Sequence, residues 1–125
     1  MVEVICDTSF LIHLATNRIK NLSSLEVEIG RVQFVVPDTV ITELTKLSEL
    51  DDKKTIALAT LDFIKSYKII KLGGSFADNA VVSYVKKHGG IVATMDRELK
   101  DAIKKERGSV ISITNNKIIL ESSKV

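Results

Sequence analysis

Short runs rich in valine and isoleucine alternate with segments of helical periodicity, and this alternation constrains the fold more than any other feature. The runs span 2–6, 32–36, 68–72, 91–94 and 110–113. Several are apolar almost throughout, which is typical of strands covered on both faces, as in a parallel sheet. Strands alternating with helices form βα units. We therefore predict an α/β fold with a central, mostly parallel sheet of about five strands.

Five segments between and after the runs carry apolar residues at helical spacing, and each stripe is expected to face the core. The stripes are Phe10, Leu11, Leu14 and Ala15; Val40, Leu44 and Leu47; Ile56, Ala59, Thr60, Phe63 and Ile64; Val81, Val82 and Val85; and Leu99, Ala102 and Ile103. An Asn115-Asn116 turn before 118–120 predicts a terminal hairpin.

Length and composition set the remaining bounds. With 125 residues, the chain has the size of one domain, which we place at 1–125. The single cysteine, Cys6, excludes a disulfide scaffold and a cysteine-rich zinc site, and it should be buried. No apolar run approaches the roughly 18 residues of a membrane span, and the start of the chain lacks a basic leader, so we expect a cytoplasmic protein. A net charge of +2 does not by itself imply a nucleic-acid partner.

Acidic residues follow four of the predicted strands. Asp7 comes directly after the first run, Glu43 lies in the helix after the second, Asp78 begins the helix after the third, and Asp96 follows the fourth. Because parallel strands end at one edge of a sheet, these four carboxylates should meet there, where such sheets bind ligands.

Converging carboxylates need a cation among them, and carboxylate oxygens without a cysteine or histidine cluster suit Mg²⁺ or Mn²⁺. Such a site suits phosphodiester hydrolysis. The alternative is that the aspartates only cap helices, since aspartate is a favoured N-cap residue. This alternative does not apply to Glu43, which lies in the second helical turn.

The segments around these carboxylates resemble those of PIN-domain nucleases. They are 7–12 (DTSFLI), 40–44 (VITEL), 77–82 (ADNAVV) and 93–100 (ATMDRELK). The last two look most like the branch that processes small-subunit ribosomal RNA in archaea and eukaryotes. The resemblance implies a three-layer α/β/α sandwich and metal-dependent cleavage of single-stranded RNA.

The same resemblance assigns roles to particular residues. Asp7, Glu43, Asp78 and Asp96 are the expected catalytic residues and metal ligands, and Thr94 and Ser9 the supporting hydroxyls. Asn79 stands where relatives can have a further acid, which leaves the number of metal ions open.

Basic residues follow Asp96, and Arg97 and Lys100 are the ones we expect to bind RNA phosphates. The alternative is a solvated helix face. No aromatic residue lies in this stretch, so a base-stacking platform is not expected there.

The leading hypothesis is a metal-dependent endoribonuclease acting on single-stranded RNA, with ribosomal RNA precursors as the expected substrate and a homodimer left open. A ribonuclease toxin of a toxin–antitoxin pair would use the same fold and site. Outside the enzymes, a non-catalytic RNA- or protein-binding PIN module and a phosphoacceptor receiver domain remain alternatives. A receiver needs a pair of acids after its first strand, whereas Asp7 lies between Cys6 and Thr8.

Overall fold

Six strands form one sheet in the part of the chain that the structure describes. The structure is a computed structural model, and it describes residues 2–17, 19, 30–72 and 77–121, with only the backbone of residues 77 and 78. The strands are β1 (Val2–Cys6), β2 (Val32–Pro37), β3 (Lys68–Ile70), β4 (Ile91–Ala93), β5 (Ser109–Thr114) and β6 (Lys117–Glu121). Their order across the sheet is β3-β2-β1-β4-β5-β6.

The first five strands pair in parallel, and β6 runs antiparallel to β5. The predicted terminal hairpin is therefore confirmed. Asn115 and Asn116 both take left-handed backbone angles, with φ of 53° and 60°. Asparagine tolerates this conformation better than most residues, and paired left-handed residues match the twist of the two strands.

Five helices occur among the described residues: α1 (Thr8–Thr16), α2 (Asp38–Leu47), α3 (Lys54–Phe63), α4 (Ala77–His88) and α5 (Arg97–Lys105). None of these described helices is both long enough and apolar enough to cross a membrane.

The two faces of the sheet carry separate apolar clusters. Val4 and Cys6 of β1 point to one face, where they pack with apolar residues of α1 and α2. Ile5 points to the other face, where it packs with Val81 of α4 and Leu99 of α5. Successive strand residues alternate between faces, so burial on both sides accounts for runs that are apolar almost throughout. The arrangement confirms the predicted α/β/α sandwich.

The stripe predicted for α3 was wrong in part. Thr60 and Ile64 are buried as expected, but the third buried position is Ala57. Ile56 and Phe63 are 45% and 43% exposed, and Ala59 is exposed as well. The helix packs on α1 and α2. It carries apolar residues around most of its circumference, so its periodicity could not choose the buried side, and the small Ala57 side chain faces the neighbouring helices.

Strand β3 is shorter than the predicted 68–72. Pro37, which lacks an amide hydrogen, pairs with Ile70 at the end of the β2–β3 ladder. Leu72 donates its backbone N–H to Asp38 Oδ1 at 3.2 Å. The aspartate at the start of α2 thereby holds the chain as it leaves β3.

Candidate active site

The candidate site is built at the carboxyl ends of β1 and β4, which are neighbours in the sheet. Asp7 follows β1, and its N–H donates to the carbonyl of Ala93 at 3.0 Å. Thr94 follows β4, and its N–H donates to the carbonyl of Ile111 at 2.9 Å. The ladders thus continue one residue beyond the strands and place Asp7 beside Thr94.

Among the predicted ligands whose side chains the structure describes, Asp7 is the most enclosed, with 5% of its surface exposed. Its Oδ1 accepts hydrogen bonds from the backbone N–H of Phe10 at 3.0 Å and from Ser9 Oγ at 2.9 Å. Its Oδ2 accepts from Thr94 Oγ1. Since donors hold both oxygens, the orientation of this carboxylate is fixed within the fold.

Thr94 and Ser9 link the two halves of the site. The fully buried hydroxyl of Thr94 donates to Asp7 and accepts from the N–H of Asp96 at 3.0 Å. Ser9 donates to Asp7 and accepts from the N–H of Met95 at 3.1 Å. Two hydroxyls on different elements therefore tie the start of α1 to the turn that carries Asp96.

Glu43 is exposed on α2, and a hydroxyl from α1 orients it. Thr8 Oγ1 donates to Glu43 Oε2 at 2.9 Å, and Thr8 is itself buried. The role of Thr8 was missed in the sequence. The only signal for it was its position directly after Asp7 at the start of a helix.

Asp7 and Asp96 also cap helices. Asp7 accepts from Phe10 N–H at the start of α1, and Asp96 Oδ1 accepts from Leu99 N–H at 3.1 Å at the start of α5. The capping alternative thus describes real contacts of both residues. It leaves unexplained the contacts of Ser9 and Thr94 with Asp7, because neither satisfies a free N–H of α1.

The donor set matches a hard divalent cation in its chemistry, because Asp7, Glu43 and Asp96 offer only carboxylate oxygens. Within the described residues, no three acidic, histidine or cysteine side chains are grouped closely enough to hold a metal ion. The fourth predicted ligand, Asp78, has its backbone in the first turn of α4, and its side chain lies outside the described residues. Shared coordination by the four carboxylates therefore stays a prediction.

The two basic residues predicted to bind RNA differ in their surroundings. Arg97 is exposed on the first turn of α5, next to Asp96. Lys100 is only 22% exposed, and its Nζ lies 3.5 Å from Glu121 Oε2 at the end of β6. A phosphate group would have to compete with Glu121 for Lys100, whereas it could approach Arg97 directly.

Cys6 does not supply a nucleophile. The thiol is fully buried, and burial, with the neighbouring Asp7 charge, raises its pKa well above the usual value. The neutral thiol is a poor nucleophile, so the chemistry of this edge depends on its carboxylates.

Comparison with known proteins identifies the class to which this fold and site belong. Residues 4–116 match the family described as PIN like domain. The chain therefore belongs to the PIN-like domain family, which confirms the resemblance drawn from the sequence.

Particular relatives span almost the whole chain. Ribonuclease VapC4 of Methanocaldococcus jannaschii is 28% identical in an alignment 123 positions long, and the match covers 94% of each protein. The structure of the PIN domain endonuclease Utp24 is 28% identical, with a TM-score of 0.75 over 96% of this chain and 91% of that one. A domain of a functionally unknown protein from the same archaeon, at 14% identity and a TM-score of 0.64 over 91% and 92% of the two chains, shows the shared fold alone.

Proposed function

We propose that this protein is a metal-dependent endoribonuclease that hydrolyses phosphodiester bonds in single-stranded RNA. The observation that carries the proposal is the enclosed Asp7 carboxylate, held by Ser9 and Thr94 at the carboxyl ends of two neighbouring strands. Helix capping alone does not require that arrangement. Membership of the PIN-like family supports it, as do a relative named a ribonuclease and one named an endonuclease.

Asp7, Glu43, Asp78 and Asp96 are the residues that would hold Mg²⁺ or Mn²⁺. When bound, such a cation supplies Lewis acidity toward the phosphodiester and its water nucleophile. The chain's own groups provide orientation: Thr94 and Ser9 hold Asp7, and Thr8 holds Glu43. Arg97 directly follows Asp96 in the chain, and its exposed guanidinium can bind a phosphate.

For the substrate, we propose precursor ribosomal RNA, because segments 77–82 and 93–100 resemble the branch that processes it. The similarity to VapC4 favours a second candidate, a ribonuclease toxin. A gene for a small DNA-binding antitoxin beside this one would favour the toxin. Specific cleavage of the host's own precursor ribosomal RNA at one position would favour processing.

Thermal melting in EDTA and in Mn²⁺ tests the site without knowledge of the substrate. Asparagine caps helices about as well as aspartate, so Asp7→Asn and Asp96→Asn keep the caps while weakening cation ligation. A ligand at one hundred times its Kd stabilises a protein by about 2.7 kcal/mol. We expect Mn²⁺ to raise the melting temperature of the wild type and both variants to lose most of that gain. Asp101→Asn, an exposed change on α5, is the matched control and should keep the gain.

Cleavage of single-stranded RNA completes the test. The wild type and Asp101→Asn should cleave in Mg²⁺ or Mn²⁺ and stop in EDTA, and both site variants should be inactive. Equal melting temperatures with and without Mn²⁺ in all four proteins would contradict a shared metal site. Undiminished cleavage in excess EDTA would contradict the mechanism.

A further inference from the structure

We propose that a basic groove along α4 binds the single-stranded RNA chain beyond the cleaved bond, with its phosphates on Lys71 and Lys87 and a base on the Tyr84–His88 pair. The inference rests on the proposed function and deepens it, because it assigns the path of the substrate away from the acidic edge.

The groove consists of two adjoining cavities that share Tyr84 and His88. One has a volume of about 240 Å³ and lies between the chain after β3 and one face of α4, where Lys71, Ser83 and Lys87 line it. The other has a volume of about 410 Å³ and extends past Glu3 to the Gly89-Gly90 turn. We call the two together the α4 groove.

The groove occupies a second face of α4. Residues 80, 83, 84, 87 and 88 line it, at the i, i+3, i+4, i+7, i+8 spacing of one helix side. Residues 81 and 85 are buried against the sheet. One side of α4 is therefore buried in the core, and the adjacent side, which is polar and aromatic, lines the groove.

The charge of the groove is positive. Lys71 and Lys87 are exposed, and neither forms an ion pair with any residue that the structure describes. Glu3, the acid that lines the larger cavity, is held by Lys68 at 2.8 Å. The helix dipole accounts for a cation such as Lys87 in the last turn of α4. It does not account for Lys71, which comes from the β3 side and faces the same cavity.

The aromatic pair gives the groove a surface that the stretch after Asp96 lacks. The rings of Tyr84 and His88 have centroids 4.7 Å apart and are tilted by 44°. Tyr84 also packs against the apolar cluster beneath α4, which fixes its ring in place. Single-stranded RNA is bound by unstacked bases on aromatic rings together with cations that follow its backbone.

The position of the groove connects it to the candidate active site. It begins at Leu72, which Asp38 holds at the carboxyl end of β3, the edge where the acidic residues lie. It then follows α4, whose 12 residues span about 18 Å. An RNA strand leaving the acidic edge past β3 would enter this groove.

Binding of labelled RNA in EDTA tests the groove while cleavage is switched off. The probe is a dodecamer, which is long enough to reach the groove from the acidic edge. The test variants are Lys71→Gln/Lys87→Gln and Tyr84→Leu. Lys46→Gln/Lys54→Gln removes two exposed lysines from the opposite layer and is the matched control.

Each phosphate contact to a single strand contributes about 0.7 to the slope of log affinity against log salt. We expect the Lys71→Gln/Lys87→Gln variant to bind the dodecamer more weakly and with a slope reduced by about 1.4, twice the contribution of one contact. Tyr84→Leu should lower dodecamer affinity about tenfold with an unchanged slope. The control pair should match the wild type.

Two results would overturn the assignment of the groove to RNA. One is a salt slope that does not fall in Lys71→Gln/Lys87→Gln, or that falls as much in the control pair as it does there. The other is displacement of RNA by polyaspartate as effective as by unlabelled RNA, which would mark a general anion surface. In either case, continued Mn²⁺-dependent cleavage of the dodecamer would leave the proposed function standing. Failure of the wild type to cleave any RNA would count against the proposed function instead.

Discussion

The Thr94 hydroxyl links two of the predicted metal ligands, Asp7 and Asp96. It donates to Asp7 and accepts from the backbone of Asp96 while being fully buried. A hydroxyl can do both because it carries one donor and two acceptor positions. Valine has nearly the same shape as threonine but can neither donate nor accept a hydrogen bond. Comparing threonine with valine at position 94 therefore measures the contribution of the hydroxyl.

We predict that Thr94→Val lowers the free energy of unfolding by about 1–3 kcal/mol, because it leaves a buried carboxylate oxygen and a backbone N–H without this partner. It should also abolish the Mn²⁺-dependent rise in melting temperature. Thr94→Ser keeps the hydroxyl and should retain most of both properties. Urea unfolding and thermal melting of the two variants measure the effect. If Thr94→Ser lost as much as Thr94→Val, the methyl group would be the important part.

At the scale of elements, Glu121 joins the last strand to α5. Its carboxylate lies 2.8 Å from Lys104 Nζ and accepts from Ser112 Oγ at 3.0 Å. The hydrogen bond from Lys104 is the main cause that lowers the pKa of Glu121, and partial burial opposes it. The contact therefore favours the ionised carboxylate in the folded protein.

The Glu121 carboxyl has its ordinary pKa of about 4.5 in the unfolded chain and a lower pKa in the folded protein. The contact therefore stabilises the fold fully at pH values above 4.5, and this stabilisation is lost as the pH falls through the lower pKa. We predict that the difference in unfolding free energy between wild type and Glu121→Gln is full at neutral pH and shrinks in acid. Urea unfolding from neutral to acidic pH measures it. Lys104→Met should lower the unfolding free energy by a similar amount. The double variant Lys104→Met/Glu121→Gln should be little less stable than either single variant. A difference that did not change with pH would assign the effect to packing.

The elements differ in how far the sequence could predict them. Strand β1 was predicted to the residue, because Val4, Ile5 and Cys6 are buried on alternate faces and the run is apolar except for Glu3. Helix α3 was not predicted correctly, because Ile56 and Phe63 fit an apolar stripe as well as the residues that are buried. Periodicity identifies a helix but selects its buried side only where one side is clearly polar.

For the molecule as a whole, the topology predicts where the site lies but not how it is held. Parallel strands end at one edge, and this rule alone placed Asp7 and Asp96 together. The hydrogen bond from the Thr8 hydroxyl to Glu43 depends on how α1 packs against α2, and no local sequence pattern predicts that packing. Long-range hydrogen bonds of this kind join residues 35 or more positions apart.

The rate at which a reagent labels the buried Cys6 thiol measures how often the core of this protein opens. Cys6 is the only cysteine, lies fully buried in β1 between two neighbouring strands, and directly precedes Asp7. The Cys6 side chain packs beneath α1 and α2, so a thiol reagent can reach it only when this apolar cluster opens. Because α1 begins directly after Asp7, the same opening disturbs the contacts of Ser9 and Phe10 with Asp7. Where reclosing is fast, the labelling rate follows the population of that opened form.

We predict that native protein reacts with a disulfide reagent far more slowly than protein unfolded in urea, and that Mn²⁺ slows the wild type further but not Asp7→Asn. Labelling as fast in native as in unfolded protein would contradict the burial of this strand. The labelling rate of Cys6 thus reports how small the opened fraction of the protein is, and it can be measured without any substrate.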